Sequence, residues 1–395
     1  MKIAHLADLH LGFRQYYRQT SSGINQRETD VARAFGRAID DILIVRPDVV
    51  IIAGDMFHSV RPTNPAILHA FNQLQRLRAE LQVAPILIVA GNHDTPRSVE
   101  TGSILRLFEV IGGIHVVSQQ AQEITFERLD LSVVCVPHSA LVADSASVPE
   151  ATGARSRRVL VTHGEIAGVL SRESSYLEYG GAVVEPGDLR IEDWTYVALG
   201  HYHVARQVAN NAWYSGALEY VSTNPWGELL DEAREGRQGQ KGWLLVDLDG
   251  GPDVEFRPVA HERRFIDLPK IQGSGLGSAD LDQLIAENVA AIPDGIADQV
   301  VRQVVSDVPR PIARDLDYAR IREFKSRALH YNIDLRRPPP SRTVGMGAAG
   351  LRHTLAELVA EYLKRRPLAA EVDRKELADL GGEYMAEVER DLLEE

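Results

Sequence analysis

Side chains able to bind metal ions follow one short apolar segment after another in the first half of the chain. These segments, at 2–7, 48–53, 86–90, 158–162 and 196–199, have the length and composition of buried strands. The metal-competent residues that come directly after them are, in chain order, Asp8, His10, Asp55, Asn92, His163, His201 and His203. Imidazole, carboxylate and amide donors without a thiolate suit manganese, iron or zinc in a reactive centre rather than a structural zinc cage.

Seven donors are too many for a single ion. A carboxylate at the centre of such a set can bridge two cations about 3.5–4 Å apart, which is an arrangement used for hydrolysis of phosphoesters. Each block alone has an ordinary structural interpretation, since Gly-Asn-His-Asp is also typical of a turn. The joint occurrence of five blocks, each at a strand end, favours a metal centre. The histidines without such a setting are interpreted as structural, and they are His5, His69, His115, His138, His261, His330 and His353.

The spacing within the blocks would bring paired side chains to one side of the chain. Asp8 and His10, like His201 and His203, are two residues apart, so in an extended segment they face the same way. A glycine precedes Asp55, and glycines also open the third and fifth blocks, where they allow tight turns. In open α/β sheets the functional crevice lies beyond the carboxyl ends of the strands. Residues about 200 positions apart can therefore meet there.

Strands that alternate with helical patterns must position these residues. The segments 28–45 and 64–81 have helical periodicity, and the second is expected to begin with Asn64 as its cap and Pro65 at its first position. Strand, helix, strand, helix, strand indicates a largely parallel sheet with helical covers. The strands from residue 123 onward look more like hairpins. Together these elements predict an α/β fold, built as a two-sheet sandwich flanked by helices.

The character of the sequence changes at several points, which predicts a division into domains. We expect residues 1–260 to form the catalytic domain and 261–336 a small α+β domain. Consecutive prolines in 337–350 favour an extended linker. Residues 351–395 are expected to form two amphipathic helices. Their apolar stripes consist of Leu351, Leu355, Leu358, Val359 and Tyr362, and of Leu377, Leu380, Tyr384, Val388 and Leu392.

Composition and charge narrow the class of protein. Of the 395 residues, 44% are hydrophobic and 25% are charged, which excludes disordered and fibrous proteins. We expect a cytoplasmic protein without a membrane span, because apolar runs are short, Asp8 interrupts any signal peptide, and Cys135 is the single cysteine. The formal net charge of −13 hides a basic segment, 310–342, with nine Lys and Arg against four Asp and Glu. A polyanion can therefore still bind locally.

Five blocks occur in a fixed order across residues 8–203: Asp-x-His, Gly-Asp, Gly-Asn-His-Asp, a lone His and Gly-His-x-His. On these blocks the chain resembles the calcineurin-like metallophosphoesterases. It is most similar to their SbcD-type family of nuclease subunits, through Leu-His-Leu-Gly-Phe-Arg-Gln-Tyr at 9–16, Gly-Asp-Met-Phe-His-Ser-Val-Arg-Pro at 54–62 and Tyr-Ser-Gly-Ala-Leu-Glu at 214–219. The resemblance implies a four-layer αββα metallophosphoesterase sandwich with a small α+β capping domain and a C-terminal helical tail.

The family pattern also implies a role for each matching residue. One divalent ion is held by Asp8, His10, Asp55 and His203, and the other by Asn92, His163, His201 and the bridging Asp55. Manganese is the expected metal. His93 is implied to act on the scissile phosphate or the leaving oxygen, with Asp94 orienting it and His58 helping near the phosphate.

The activity that the resemblance implies is a two-metal DNA nuclease. It would act as an exonuclease and endonuclease on double-strand ends, single strands and hairpins, in repair, recombination and replication. The chain has no Gly-x-x-x-x-Gly-Lys-Ser/Thr segment, so any dependence on ATP requires another subunit. The resemblance supplies one, an SbcC-like ATPase of the SMC family, for which residues 351–395 would be the docking element. Residues 261–336 would be the DNA-binding and capping domain.

Three interpretations remain open at this point. The resemblance implies a homodimer through helices that carry Leu68, Phe71, Leu105 and Phe108. The same residues could equally belong to an ordinary hydrophobic core. A metallophosphodiesterase acting on a small phosphoester would use the same metal site, although it would need neither a basic domain nor a long linker. A scaffold with a decayed site is opposed by the intact ligand set.

Overall fold

The computed structural model of the chain describes residues 1–96, 102–143, 148–150, 155–169, 181–338, 359, 362–363, 373 and 375–384. The chain divides into two compact units, Met1–Arg336 and Arg337–Glu395. In the second unit residues 375–384 are helical, whereas most of the predicted linker and of both predicted tail helices lies outside the described residues. Among the described residues, no helix combines the length and apolar character that crossing a membrane requires.

Strands dominate the first unit. The strands are, in chain order, β1 (Lys2–Leu6), β2 (Val49–Ala53), β3 (Ile86–Val89), β4 (Ile114–Val117), β5 (Gln122–Phe126), β6 (Leu131–Val136), β7 (Arg157–His163), β8 (Glu165–Ile166), β9 (Val183–Val184), β10 (Tyr196–Gly200), β11 (Arg206–Ala209), β12 (Ala212–Tyr214), β13 (Gly242–Asp247), β14 (Asp253–Pro258), β15 (Phe265–Asp267), β16 (Ile271–Gln272), β17 (Val300–Ser306) and β18 (His330–Leu335). The α-helices are α1 (Gln26–Val45), α2 (Asn64–Glu80), α3 (His138–Leu141), α4 (Pro186–Leu189), α5 (Pro225–Arg234), α6 (Ser278–Ala290), α7 (Arg310–Arg314) and α8 (Tyr318–Arg327). Short 3-10 helices lie at Ile104–Val110, Glu127–Leu129 and Ile191–Asp193.

Two mixed sheets form the centre of the first unit. Within the described residues, the first sheet has the order β14-β13-β1-β2-β3-β4 and the second has the order β11-β12-β10-β7-β6-β5. Strands β1 to β4 are mutually parallel, and so are β6, β7, β10 and β12. The expectation of hairpins is therefore correct for β5 with β6, for β12, which pairs antiparallel with β11, and for β13 with β14. It is wrong for β7 and β10, which pair with each other in parallel. Side-chain alternation does not reveal strand direction, because parallel and antiparallel strands share the same period of two.

Alternate residues of the central strands enter different cores. In β2, Val49, Ile51 and Ala53 pack between the two sheets, whereas Val50 and Ile52 pack against the helices on the outer face. A strand buried on both faces needs an uninterrupted apolar run, which is what the sequence of β2 provides. The predicted α/β sandwich is confirmed, with long helices covering one sheet and short helical segments the other.

Helices α1 and α2 cover the outer face of the first sheet. Helix α1 buries Val31, Phe35, Ile39 and Ile42, spaced three to four residues apart, so that one stripe faces the sheet. The start of α2 differs from the prediction, because the Thr63 side chain is the cap and accepts a hydrogen bond from the Ala66 N–H at 3.3 Å. A threonine hydroxyl satisfies an unpaired amide at a helix start as an asparagine side chain would. The outer face of the second sheet is covered by α3, α4 and irregular segments.

A third sheet of four strands forms a separate core near the end of the first unit. Strand β17 is parallel to β15, β16 and β18. Its apolar residues pack with α6 and α8, where Leu281, Ile285, Ile321 and Phe324 are buried. Phe265 packs against Tyr220 of the preceding part of the chain, with ring centres 4.3 Å apart, and Val300 belongs to the same apolar cluster, which connects this sheet to the sandwich.

Candidate metal centre

The seven predicted ligands converge at one edge of the sandwich, where parallel strands of both sheets end. Asp8, His10 and Asp55 follow β1 and β2 of the first sheet, whereas His163 closes β7 of the second. Backbone pairing continues past the strands, because the Asp8 N–H donates to the Gly54 carbonyl at 3.0 Å and the His10 N–H donates to the Asp55 carbonyl at 2.9 Å. The loops after the strands are thereby held in register, and the side chains of the two sheets face one another.

Four of these residues have backbone conformations that side chains other than glycine rarely adopt. The φ angle is 54° at Asp8, 44° at His10, 50° at Asp55 and 104° at His201. Left-handed φ outside glycine costs of order 1–3 kcal/mol per residue, and it is concentrated at functional sites because the surrounding packing maintains it there. Here it turns each side chain toward the same point.

Glycines leave the room that the site needs. Gly54 has a φ of 96°, and a Cβ atom there would lie 2.1 Å from His163 Nδ1. A Cβ atom at Gly91 would lie 2.1 Å from Asp55 Oδ1, although the φ of Gly91 is negative, so close approach rather than a turn explains this glycine. The prediction that these glycines permit tight turns is thus correct for Gly54 and incomplete for Gly91.

The first cluster consists of Asp8, His10 and His203. One candidate ligand atom from each lies within 4.8 Å of the others, and all three side chains are buried. His10 Nε2 and His203 Nε2 are 3.2 Å apart. Two imidazole nitrogens and a carboxylate that converge in this way are a donor set suited to a divalent cation.

The second cluster consists of Asp55, His163 and His201, again with ligand atoms within 4.8 Å of one another. Asn92 Oδ1 completes it, at 3.0 Å from His163 Nε2 and 3.3 Å from His201 Nδ1. Asp55 Oδ2 lies 3.1 Å from His163 Nε2 and 3.8 Å from His10 Nε2. Asp55 therefore reaches both clusters, which is the geometry that a bridging carboxylate requires.

Burial and close contacts shift the pKa values in the two clusters strongly. Burial disfavours the Asp55 carboxylate, but His163, His10 and His93 outweigh it and hold the pKa of Asp55 well below its usual range. Burial also opposes protonation of His163, yet Asp55 and Asp8 raise the pKa of His163 to about 9. The pKa of Asp8 is raised to about 6, first by burial. Strongly shifted pKa values of this kind are concentrated at functional sites.

Two of the three predicted catalytic residues, His58 and His93, lie beside the first cluster. His58 Nδ1 is 3.2 Å from His10 Nδ1, and the ring centres of His10 and His93 are 4.8 Å apart. His93 Nδ1 donates to the His58 carbonyl at 2.8 Å. This bond fixes the tautomer of His93, because a carbonyl oxygen can only accept, and leaves Nε2 as its other reactive atom.

Asp94 has contacts that differ from the orienting role predicted for it. Its carboxylate accepts backbone hydrogen bonds from Met56 at 3.1 Å, Phe57 at 3.1 Å and Gly91 at 3.2 Å, and it is fully buried. Asp94 therefore joins the loop after β3 to the loop after β2. The His93 ring itself donates to the His58 carbonyl, and the orienting role of Asp94 stays a prediction.

Two residues near the clusters were not among the predicted site residues. His138 follows β6 at the same edge, is 8% exposed, and has a pKa lowered to about 4, first by burial and then by repulsion from His163. Its position directly beyond a strand, after Pro137, was the available signal. A Cβ atom at Gly181 would lie 2.3 Å from His201 Nε2, and no sequence pattern pointed to that glycine.

The apolar residues proposed for a dimer interface divide into two kinds. Leu105 and Phe108 lie in the Ile104–Val110 3-10 helix and are 0% exposed, so they belong to the core beneath the first sheet. Phe71 on α2 is partly buried and packs against the same core, whereas Leu68 on α2 is 61% exposed.

Comparison with known proteins agrees with this geometry. The calcineurin-like phosphoesterase family profile matches residues 1–205, which is more than half of the chain. The chain belongs to this family, and it is a metal-dependent hydrolase that uses divalent cations.

Several archaeal proteins named DNA double-strand break repair protein Mre11 are similar to this chain. The protein of Methanococcus maripaludis is 27% identical over 283 residues, covering 64% of this chain and 65% of its own length. That of Sulfolobus acidocaldarius is 25% identical over 377 residues, covering 92% and 90%. That of Methanocaldococcus jannaschii is 29% identical over 266 residues, covering 66% and 65%. The match thus spans just under two thirds of two of these relatives and nine tenths of the third.

Proposed function

We propose that this chain is a two-metal DNA nuclease that hydrolyses phosphodiester bonds in double-strand-break repair or hairpin processing. The observation that carries the proposal is the pair of ligand clusters joined by Asp55, whose Oδ2 lies 3.1 Å from His163 Nε2 and 3.8 Å from His10 Nε2. The names of the archaeal relatives support DNA as the substrate. Manganese is the proposed metal, because mixed imidazole and oxygen donors without thiolate suit it.

Each group at the site has a distinct task in this reaction. The two cations, when bound, activate the attacking water and neutralise charge on the phosphoryl oxygens. Asp8 and Asp55 balance part of the metal charge, and Asn92 adds a neutral donor. His93, held by the His58 carbonyl through Nδ1, is the residue that moves a proton at Nε2 to the departing 3′-oxygen.

DNA outside the metal centre would contact the small α+β part of the chain, residues 261–336. Arg320, Arg327 and Arg336 are exposed there. Arginine side chains on such a surface neutralise phosphates without reading bases. This basic surface favours a long nucleic acid as the substrate, because hydrolysis of a small phosphoester does not need such a surface.

Partners follow from the same family resemblance. We propose an SMC-family ATPase docked on residues 351–395, where the stripe residues Tyr362, Leu380 and Tyr384 are 59%, 46% and 62% exposed. We also propose a homodimer that uses exposed side chains such as Leu68 and Leu107, which are 61% and 50% exposed. A nuclease that acts on chromosomal DNA with these partners would work in the cytoplasm.

The test is hydrolysis with manganese of duplex DNA, single-stranded DNA and hairpins, beside cyclic nucleotides and a chromogenic phosphodiester. DNA cleavage at rates well above those on the small substrates is expected. Asp55→Ala should abolish cleavage while the far-UV spectrum is retained, since it removes the one ligand common to both ions. Manganese-dependent cleavage by this variant would contradict the two-metal assignment, and hydrolysis of small substrates alone would favour the small-phosphoester alternative.

A further inference from the structure

Glu228 is a buried carboxylate that faces a candidate metal ligand from the side opposite the cluster. His203 Nε2 lies 3.2 Å from His10 Nε2, inside the first cluster. His203 Nδ1 lies 3.6 Å from Glu228 Oε1. His203 is 3% exposed and Glu228 is 0% exposed, so this contact is isolated from bulk water. Glu228 comes from helix α5 and belongs to none of the five sequence blocks.

A buried lysine holds both partners of this contact. Lys241 Nζ pairs with Glu228 Oε2 and donates to the His203 backbone carbonyl at 2.8 Å. The Ser222 N–H donates to Glu228 Oε1 at 3.1 Å, which fixes the oxygen that faces His203. Lys241 also lies 3.0 Å from Glu232 Oε1, one turn further along α5. The carboxylate, the ring and the backbone of the ligand are thus fixed relative to one another.

Stability alone does not account for this arrangement. Removing charged groups from water costs several kcal/mol per ion, and well-packed apolar residues often replace a buried ion pair without loss. A carboxylate behind a ligating imidazole has a specific effect, because it takes the N–H of the nitrogen that does not bind metal. That contact sets the tautomer and the direction of the ring.

We propose that Glu228 is a positioning residue that accepts the Nδ1–H of His203 and thereby presents His203 Nε2 to the ion of the first cluster. Lys241 holds Glu228 and the His203 backbone in the required alignment. The inference rests on the proposed metal site and extends it to residues that do not bind metal themselves. The second cluster has its own ligands, so its ion is independent of Glu228.

The test compares manganese binding by Glu228→Gln and Glu232→Gln in the full-length chain. Both substitutions are isosteric and lie on the same helix, and each removes one negative charge that faces Lys241. Only Glu228 also faces His203. Titration followed by calorimetry and by the electron paramagnetic resonance of free Mn²⁺ should show two ions on the wild type and on Glu232→Gln. In Glu228→Gln one ion should bind about 10–100-fold more weakly while the other is unchanged.

The outcomes separate this inference from the proposed function. A wild type that binds fewer than two manganese ions would overturn the two-metal function itself. Wild-type affinities in Glu228→Gln, or equal losses in both variants, would leave the metal centre intact and reduce Glu228 to a structural residue.

A measurement on the wild type covers the case in which Glu228→Gln does not fold. In the cobalt-loaded chain, an exchangeable imidazole N–H resonance that is shifted by the metal and lost in His203→Gln is expected, protected from exchange by the buried carboxylate. If instead His203 bound the metal through Nδ1, its remaining proton would lie on Nε2, away from Glu228. A His203 resonance that exchanges rapidly with solvent would therefore contradict the proposal.

Discussion

At the scale of single residues, the metal centre depends on backbones held in unfavourable conformations. Asp8, His10 and Asp55 all have φ between 44° and 54°, and each lies directly beyond a strand that cannot move without disturbing the core. Strain of about 1–3 kcal/mol per residue persists only where the surrounding structure maintains it. The buried strands therefore hold the ligands in place before any metal binds, which lowers the cost of assembling the centre.

His93 offers a direct test of how one residue acts beside the metals. We expect His93→Gln to lower turnover by about 10²–10⁴, because the variant cannot give a proton to the leaving oxygen. Both ions should remain, since His93 lies beside the ligand clusters and its Nδ1 is engaged by the His58 carbonyl. Elemental analysis beside the rate measurement checks this. Loss of one ion would show that His93 is a ligand rather than an acid.

At the scale of elements, the two sheets are joined by a polar contact within their shared core. His5 of β1 and Tyr196 of β10 are both fully buried, and His5 Nδ1 lies 2.9 Å from the Tyr196 hydroxyl. Burial lowers the pKa of His5 to about 3, although a hydrogen bond with the Leu199 backbone opposes the shift. A neutral histidine is therefore built into the interface.

This histidine makes stability depend on pH in a known direction. As the pH falls below about 6.5, the unfolded chain takes up a proton at His5 while the folded chain does not, so the free energy of unfolding decreases until about pH 3. From about pH 7 to about pH 5 the loss from this group should be about 2 kcal/mol. In urea unfolding, His5→Gln should lose about that much less than the wild type. Parallel pH profiles for the two proteins would show that His5 is protonated inside the fold.

The sequence predicted the site better than it predicted the packing around it. The ligands could be identified because each block follows an apolar run directly in the sequence. This signal is local, so it can be read without knowing the order of the strands in the sheets. The parallel direction of β6, β7 and β10, the buried position of Leu105, and the contacts of Asp94 could not be predicted, because they depend on partners far away in the chain. Gly181 and Glu228 likewise acquire their importance only through His201 and His203 in three dimensions.

At the scale of the whole molecule, opposite charges are concentrated in different parts of the chain. Segment 310–342 has nine Lys and Arg against four Asp and Glu, whereas 371–395 has ten Asp and Glu against three Lys and Arg. The acidic tail, residues 371–395, accounts for much of the net charge of −13. A DNA duplex would therefore be attracted to the basic part and repelled by the tail.

Charge reversal in the basic part tests this attraction. We expect Arg320→Glu, Arg327→Glu and Arg336→Glu, combined, to weaken DNA binding and to reduce its salt dependence by about one log-log unit per lost phosphate contact. Metal content should not change, because none of these residues belongs to either cluster. The control is Arg128→Glu, an exposed arginine outside this part of the chain. An unchanged salt slope would identify the basic residues as an ordinary solvated surface.

Removal of the tail tests the docking of the ATPase. Truncation after Arg342 should leave manganese-dependent cleavage of single-stranded or short DNA nearly intact, because every predicted ligand lies in the first unit. It should abolish co-purification with the ATPase and any stimulation by ATP, since short amphipathic helices need a surface to cover. A truncated chain that still bound the ATPase with wild-type affinity would assign the stripes to packing within the chain.

The position of β13 beside β1 has a consequence for synthesis of the protein. Strand β1 pairs with β2 on one side and with β13, residues Gly242–Asp247, on the other. A ribosome that adds about 5–20 residues per second would need on the order of 10–50 s between emergence of Asp8 and completion of this sheet. Throughout that interval a nascent chain carries apolar strands with open edges, which are the sites of mispairing that chaperones cover. Every predicted ligand has been synthesised once the chain reaches His203, but we expect the phosphoester-cleaving centre to form only after residue 247 has been added, when β13 can pair with β1.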